Sequence, residues 1–273
     1  IAFTLGQTVG NGIPLPLIGL RGLTEGPRRV RGVCTLDTPA LYQFDNLWLD
    51  NRVEIRHGAV QLRDCAVRQL RVGTAEREVP VLDAHSCLFK KIEAARGLVR
   101  LEYVTVLDTL LAECLQASDS ILVPELRKDR VDTDVPAAGC IRFSRLFHLP
   151  EKPVPSDPFD PHEPLIDNDP LWRAQHKRSL LRCFADTCTV AAPLFWEASF
   201  GEPGCGVLHP DCSLAIQAGA EDGGEMGAYH EHRYVLRRQA VLEKLHEFLP
   251  VGMEAVLITD PSLACAPPKA TTT

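Results

Sequence analysis

The chain has 273 residues of ordinary globular composition, 45% apolar, which is enough for one large domain or two smaller ones with real cores. Its 29 Lys plus Arg against 36 Asp plus Glu give a net charge of −7, so it lacks the basic balance of a nucleic-acid binder and points to protein or small-molecule partners. No apolar run approaches the roughly 18 residues of a membrane span, so direct membrane insertion is not expected.

The opening stretch IAFTLGQTVGNGIPLPLIGL has no charged n-region and reads poorly as a signal peptide, which points to assembly in the cytoplasm. Residues 1–32 read as an N-terminal segment or cap. From residue 33 to 148 the chain repeats. VQLRDCAVRQLRV (Val60 to Val72), PVLDAHSCLFKKIEA (Pro80 to Ala94), VRLEYVTVLDTLLAE (Val99 to Glu113) and ECLQASDSILVPEL (Glu113 to Leu126) each alternate apolar and polar residues, break phase at a short polar corner, and resume. YQFDNLWLDNRVEI (Tyr42 to Ile55) and GCIRFSRLF (Gly139 to Phe147) extend the series on either side.

Leu62, Leu82 and Leu101 head three rows, and Leu70, Ile92, Leu110 and Leu126 mark a second strand position. Short strands recurring about every 20 residues without helices between them suit a right-handed parallel β-helix. A β-sandwich would have longer strands and turn signals every 8–12 residues. Ser118 and Asp119 then fall at a bend, where short polar side chains bond the local backbone. The ten cysteines read as disulfides of a secreted protein or as buried thiols. The recurrence of Cys34, Cys65, Cys87, Cys114 and Cys140 favours thiols in a repeating interior.

Two readings of the corners stay open. β-Helix enzymes and glycan binders line one face with carboxylates, and Asp64, Asp83, Glu102 and Asp119 hold similar row positions. The same residues also serve as outward solvated positions or corner caps.

Residues 149–171, within LPEKPVPSDPFDPHEPLIDNDPLW, carry seven prolines among many acids and cannot hold a regular ladder. They form an arm, and Leu149 to Pro170 is the preferred partner contact, its acids meeting a basic surface. A C-terminal α+β region spans 172–260, and 261–273 is a tail. Tyr234 to Leu249 gives the clearest helix, with Val235, Ala240, Val241, Leu245, Phe248 and Leu249 near one face. Glu254 to Thr259 reads as a closing strand.

Cys205, His209, Cys212 and His232 can be drawn as a zinc cluster, although Cys-x6-Cys matches no strong zinc pattern. Glu225, Met226, Gly227 and His230 in GAEDGGEMGAYH invite a site reading. Alternatively, that stretch is an ordered loop whose Gly219, Gly223, Gly224 and Gly227 permit positive φ. No phosphate loop, dinucleotide fingerprint or nucleophile elbow is present, and no cofactor is expected.

Four ordered blocks, ASDSILV, GCIRFSRL, FGEPGCGVLHPDCSLAIQAGAEDGGEMGAYH and RQAVLEKLHEFLPVGMEAVLI, resemble a family of uncharacterised bacterial β-helix proteins with this same tail block. The likeness runs from about Gly32 to Thr259. This chain departs from the family in its longer acidic arm followed by KRSLLRC, and in Cys205 where the family has an aromatic residue. Genes of that family are associated with phage-tail-like contractile injection systems. The resemblance therefore implies a non-enzymatic structural subunit that docks other protein subunits of a large particle.

Overall fold

A computed structural model describes residues 3–9, 13–22, 28–73, 80–124, 126–127, 138–147, 181–183 and 187–256. It is a parallel β-solenoid of about five turns with a smaller, partly helical C-terminal block. Strand β1 (Phe3–Val9) lies antiparallel on β2 (Ile13–Arg21); the other described ladders are parallel.

Each coil contributes up to three strands. The first row stacks β2, β5 (Ala40–Asp45), β7 (Gly58–Arg63) and the start of β9 (Pro80–Ser118), with Ile18, Tyr42, Val60 and Leu82 in one column. The second row runs through β3 (Arg28–Val30), the front of β6 (Leu47–Ile55), the front of β8 (Ala66–Val72) and β9, aligning Val30, Leu49, Val67 and Phe89. The third row adds β4 (Cys34–Leu36) and aligns Cys34, Val53, Leu70 and Ile92. Later coils bring β10 (Ile121–Leu122) against Thr105 and Val106, β11 (Leu126–Arg127) against Leu110, and β12 (Ala138–Arg142) against the end of β9. Strand β13 (Leu181–Cys183) pairs with β12.

Parallel stacking thus begins before residue 33 and resumes beyond the arm. The arm itself, 149–171, lies outside the described residues, as does the tail.

One corner recurs in coil after coil. Asn46, Asp64, Ser86, Tyr103, Asp119 and Phe143 each adopt φ between 46° and 54°. This left-handed conformation turns the first strand into the second, and Asn and Asp tolerate it better than most residues. The next residue points inward: Leu47, Cys65, Cys87, Val104, Ser120 and Ser144 are all buried. A small polar atom there has a defined use. Ser120 Oγ donates to the Ser118 carbonyl at 2.7 Å, Ser144 Oγ to that of Arg142 at 2.7 Å, and Cys65 and Cys87 thiols to those of Arg63 and His85 at 3.1 Å. Successive coils are also tied: Val104 N donates to Ser120 Oγ, and Ser120 N to Ser144 Oγ, each at 3.1 Å.

The following residues alternate across the second row. Leu49, Val67, Phe89, Val106, Leu122 and Leu146 enter the interior, which is one continuous cluster. Trp48, Ala66, Leu88, Thr105, Ile121 and Arg145 face outward, and the C-terminal block covers them. Phe200, Cys205, Val207, Ala228 and Tyr229 pack on Ala66 and Leu88. Leu208, Cys212, Ile216 and Met226 pack on Ile121. Burying an outward Leu or Ile in this way contributes about 1.5–3 kcal/mol per side chain. Arg145 is buried too, its guanidinium bonded to the carbonyls of Leu122, Val123 and Ala191 at 2.9–3.0 Å.

Within the block, helix α1 (Leu214–Gln217) is capped by Ser213, a 3-10 turn spans His230–His232, and helix α2 covers Tyr234–Phe248. The expected amphipathic helix is therefore present, but none of its residues is buried. Glu254–Val256 is not a strand, and the rest of that expected element lies outside the described residues.

Candidate functional site

The geometry concentrates where the solenoid corner meets the loop 219–232. Two of the blocks quoted above, ASDSI and GAEDGGEMGAYH, touch here. Asp119 accepts from Glu221 N on Oδ1 at 2.6 Å, and its carbonyl accepts from Gly227 N at 2.8 Å. Ser118 Oγ donates to its Oδ2. One coil away, Thr105 Oγ1 accepts from Ala228 N at 3.0 Å. Met226 completes the apolar contact against Ile121.

Two glycines make this approach possible. At Gly227 (φ +92°) a Cβ would stand 2.5 Å from Thr105 Oγ1 and 2.8 Å from Ile121 Cδ1. At Gly206 (φ +77°) it would stand 2.7 Å from Leu88 Cδ1. Gly227→Ala is expected to cost at least about 1–2 kcal/mol through strain and displacement. The check is a urea midpoint that falls at unchanged m-value.

His230 is buried with both ring nitrogens engaged. Nδ1 lies 2.8 Å from the Glu225 carbonyl and Nε2 3.2 Å from Asp222 Oδ2. Its ring stacks on Tyr103 at 4.0 Å between centroids, and Tyr103 meets His85 edge-on at 5.5 Å. Neither nitrogen is open to a substrate, so the group fixes the loop rather than offering a base. Burial, followed by the charges of Asp119 and Asp222, pushes the Tyr103 hydroxyl up to about 12.

Glu225 is also buried, and its carboxyl accepts from the backbone N–H groups of Tyr234 and Val235. It thereby caps α2, whose own N-cap residue, Arg233, supplies no side-chain bond. Its Oε2 has no hydrogen-bond partner. Burial, opposed by the two N–H bonds, raises its pKa from 4.5 to about 8.

The four carboxylates expected as a stripe do not share a column. Arg63 pairs with His85, so Asp64 stands beside Ser86, whereas Asp83 stands beside Gln61. Asp64 and Asp119 are buried left-handed corners. Asp83 lies 3.8 Å from Arg100 across the surface, and Glu102 is exposed just before the corner residue Tyr103.

The residues drawn as a zinc cluster are also separated. Cys205 belongs to the cluster beneath Tyr229 and Cys212 to the one around Ile121. His209 packs on Trp196 at 4.5 Å, and His232 stacks on Tyr234 at 5.1 Å. Burial raises the Cys205 thiol to about 11. Among the described residues, no group of three or more His, Cys, Asp or Glu side chains is placed to hold a metal ion.

Sequence reasoning missed the outward column Trp48 to Arg145. Its signal was present in AVRQL, CLF and SILV, where an apolar pair directly after the corner breaks the alternation because both faces of the strand are covered. No protein-family model, curated protein or solved structure matches the chain.

Proposed function

We propose that this chain is a non-catalytic structural subunit of a large bacterial particle of the phage-tail-like contractile injection type, joined to other subunits through its solenoid faces and its Pro-rich arm. The observation that carries the structural reading is the use made of Asp119, Glu225 and His230. Each is spent on holding the C-terminal block to the solenoid or on starting α2. The particle type comes from the four sequence blocks that resemble the injection-system family.

Physical economy supports the same role. A stacked solenoid is stiff along its axis, and its ends and flat faces offer repeating surfaces to neighbours. The acids of Leu149 to Pro170 add a charged contact that salt weakens.

The test is cryo-electron microscopy of native particles from the source cells. Density for this solenoid in the assembled apparatus is the expected result, and intact particles that reproducibly lack the chain would remove the reading. Incorporation is also expected to fall as the salt concentration is raised from 0.1 to 1 M during reconstitution. Incorporation unchanged across that range would count against a role for the arm's charges.

A further inference from the structure

Glu225 is a buried acid in a place where an amide would serve. It is 3% exposed, its carboxyl accepts from the N–H groups of Tyr234 and Val235, and Oε2 has no hydrogen-bond partner among the described residues. Those two N–H groups lie in the first turn of α2, where the helix itself offers no carbonyl, so this carboxyl is what shields them. Glutamine would supply the same acceptor oxygen. The acid adds one property, the ability to lose a proton, and a carboxylate strongly favours water over a buried site.

The helix is fastened at that end. Tyr234, Val235, Arg238 and Leu242 are half-buried, whereas every residue from Glu243 to Phe248 is exposed. The Tyr234 ring lies 5.1 Å from that of His232 and 6.1 Å from that of Tyr229. A single residue, Arg233, joins the 3-10 turn to α2, and it stands at φ 48°. A side chain holds that left-handed conformation at a cost, so rotation at Arg233 relieves strain as it moves the helix. The loop has separate anchors on the solenoid: Glu221 N donates to Asp119 Oδ1, and Gly227 N to the Asp119 carbonyl.

The charged and titratable side chains of the elements that meet here are Asp222 and His230 on the loop, Glu231, His232 and Arg233 at the turn, Tyr234, Arg237 and Arg238 on α2, and Tyr103 and Asp119 on the solenoid; α1 carries none. Asp222 is engaged with His230 at 3.2 Å and Arg233 at 3.9 Å. Burial and the two N–H bonds, not these charges, set the proton affinity of Glu225. We infer that Glu225 is a proton-operated latch: its protonated carboxyl fastens the start of α2, and on ionisation the carboxylate turns out to water and frees α2 to move about Arg233 while the loop keeps its anchors on Asp119. The fastened carboxyl holds its proton up to about 8, and the same group in water loses it near 4.5. The released state therefore binds fewer protons between those values, so the latch is strongest below 4.5, weakens by up to about tenfold per pH unit across the window, and changes no further above it.

The test follows hydrogen exchange at the Tyr234 and Val235 amides of the full-length protein by NMR from pH 5 to 8, corrected for the intrinsic pH dependence of exchange. Their protection is expected to fall at least about tenfold across that range in the parent and to stay level in Glu225→Gln, in which His230 and His232 still titrate. At every pH it is expected to remain below the protection of the Gly227 amide and of the solenoid strands, because the latch opens before the loop and the core do. An equal fall in the glutamine variant would assign the effect to another group and overturn the inference. So would a level parent, or one protection factor shared by α2, Gly227 and the solenoid, which would make the opening global. The side-chain carboxyl signal of Glu225 in 13C-labelled parent decides the matter without any variant: a midpoint well above 4.5 that moves together with the Tyr234 and Val235 amide shifts is expected, and a midpoint near 4.5 would overturn the latch.

Discussion

Replacing Asp119 with alanine should lower stability by about 2–4 kcal/mol, and the loop 219–232 should open before the solenoid does. Two costs combine. The carboxylate accepts from Glu221 N and Ser118 Oγ, and hydrogen bonds to a charged group contribute about 1.5–3 kcal/mol. The residue also sits at φ 54°, where alanine lacks the local side-chain bonding that lets Asp adopt the left-handed conformation. Asp119→Asn keeps an acceptor oxygen and the conformational tolerance, so it should cost under about 1 kcal/mol. Asp119→Gly separates the two terms, because it relieves the backbone and still loses the bonds. Urea unfolding gives the totals, and hydrogen exchange at the Gly227 amide, which donates to the Asp119 carbonyl, reports the opening. If Asp119→Gly costs nothing while alanine does, Asp119 is only a corner and the lock lies elsewhere.

The repeat was legible because stacking writes itself into period-2 patterning. Leu70 does align with Ile92, and Leu110 with Leu126, as their spacing predicts. Leu62 and Leu82 do not align: Leu62 stands beside Ala84, and Leu82 beside Val60. A slip of two residues leaves every inward side chain inward, so alternation alone cannot detect it. The stripe of Asp64, Asp83, Glu102 and Asp119 fails by other offsets: Asp83 stands beside Gln61, three residues before Asp64, and Glu102 immediately precedes the corner residue Tyr103.

The cysteine series was only partly a column. Cys65 and Cys87 hold equivalent interior positions after successive corners, and burial pushes the Cys87 thiol well above its ordinary value. Cys34 belongs to the third row, while Cys114 and Cys140 belong to the first.

The site shows a different limit. ASDSI and GAEDGGEMGAYH stood out as blocks, and Asp119 as a corner, yet nothing in one sequence says that two blocks about a hundred residues apart meet. The contact depends on the stagger of six corners, which places Thr105, Asp119 and Ile121 together under Gly227. Helix α2 was legible from its periodicity, but periodicity reports an apolar face and not whether the fold covers it.

Glu225→Gln should make the protein more stable at pH 8 and leave it nearly unchanged near pH 4.5. The carboxyl keeps its proton in the folded state up to about 8, whereas the unfolded chain releases it near 4.5. Between those values the unfolded state binds fewer protons, so stability falls as pH rises, by up to about 1.4 kcal/mol per pH unit for this one group. Glutamine retains an oxygen for the N–H groups of Tyr234 and Val235 and cannot ionise, which removes that slope. The gap between variant and parent should therefore widen across the window to roughly 2–5 kcal/mol at pH 8. Glu225→Ala is the control for the cap, since it leaves both N–H groups without their acceptor and should cost about 1–2 kcal/mol where the parent carboxyl is protonated. Urea unfolding of the three proteins at pH 5, 6.5 and 8 distinguishes the terms. A constant offset between parent and glutamine variant would mean that Glu225 is ionised throughout, its charge held by the start of α2 instead of opposed by burial.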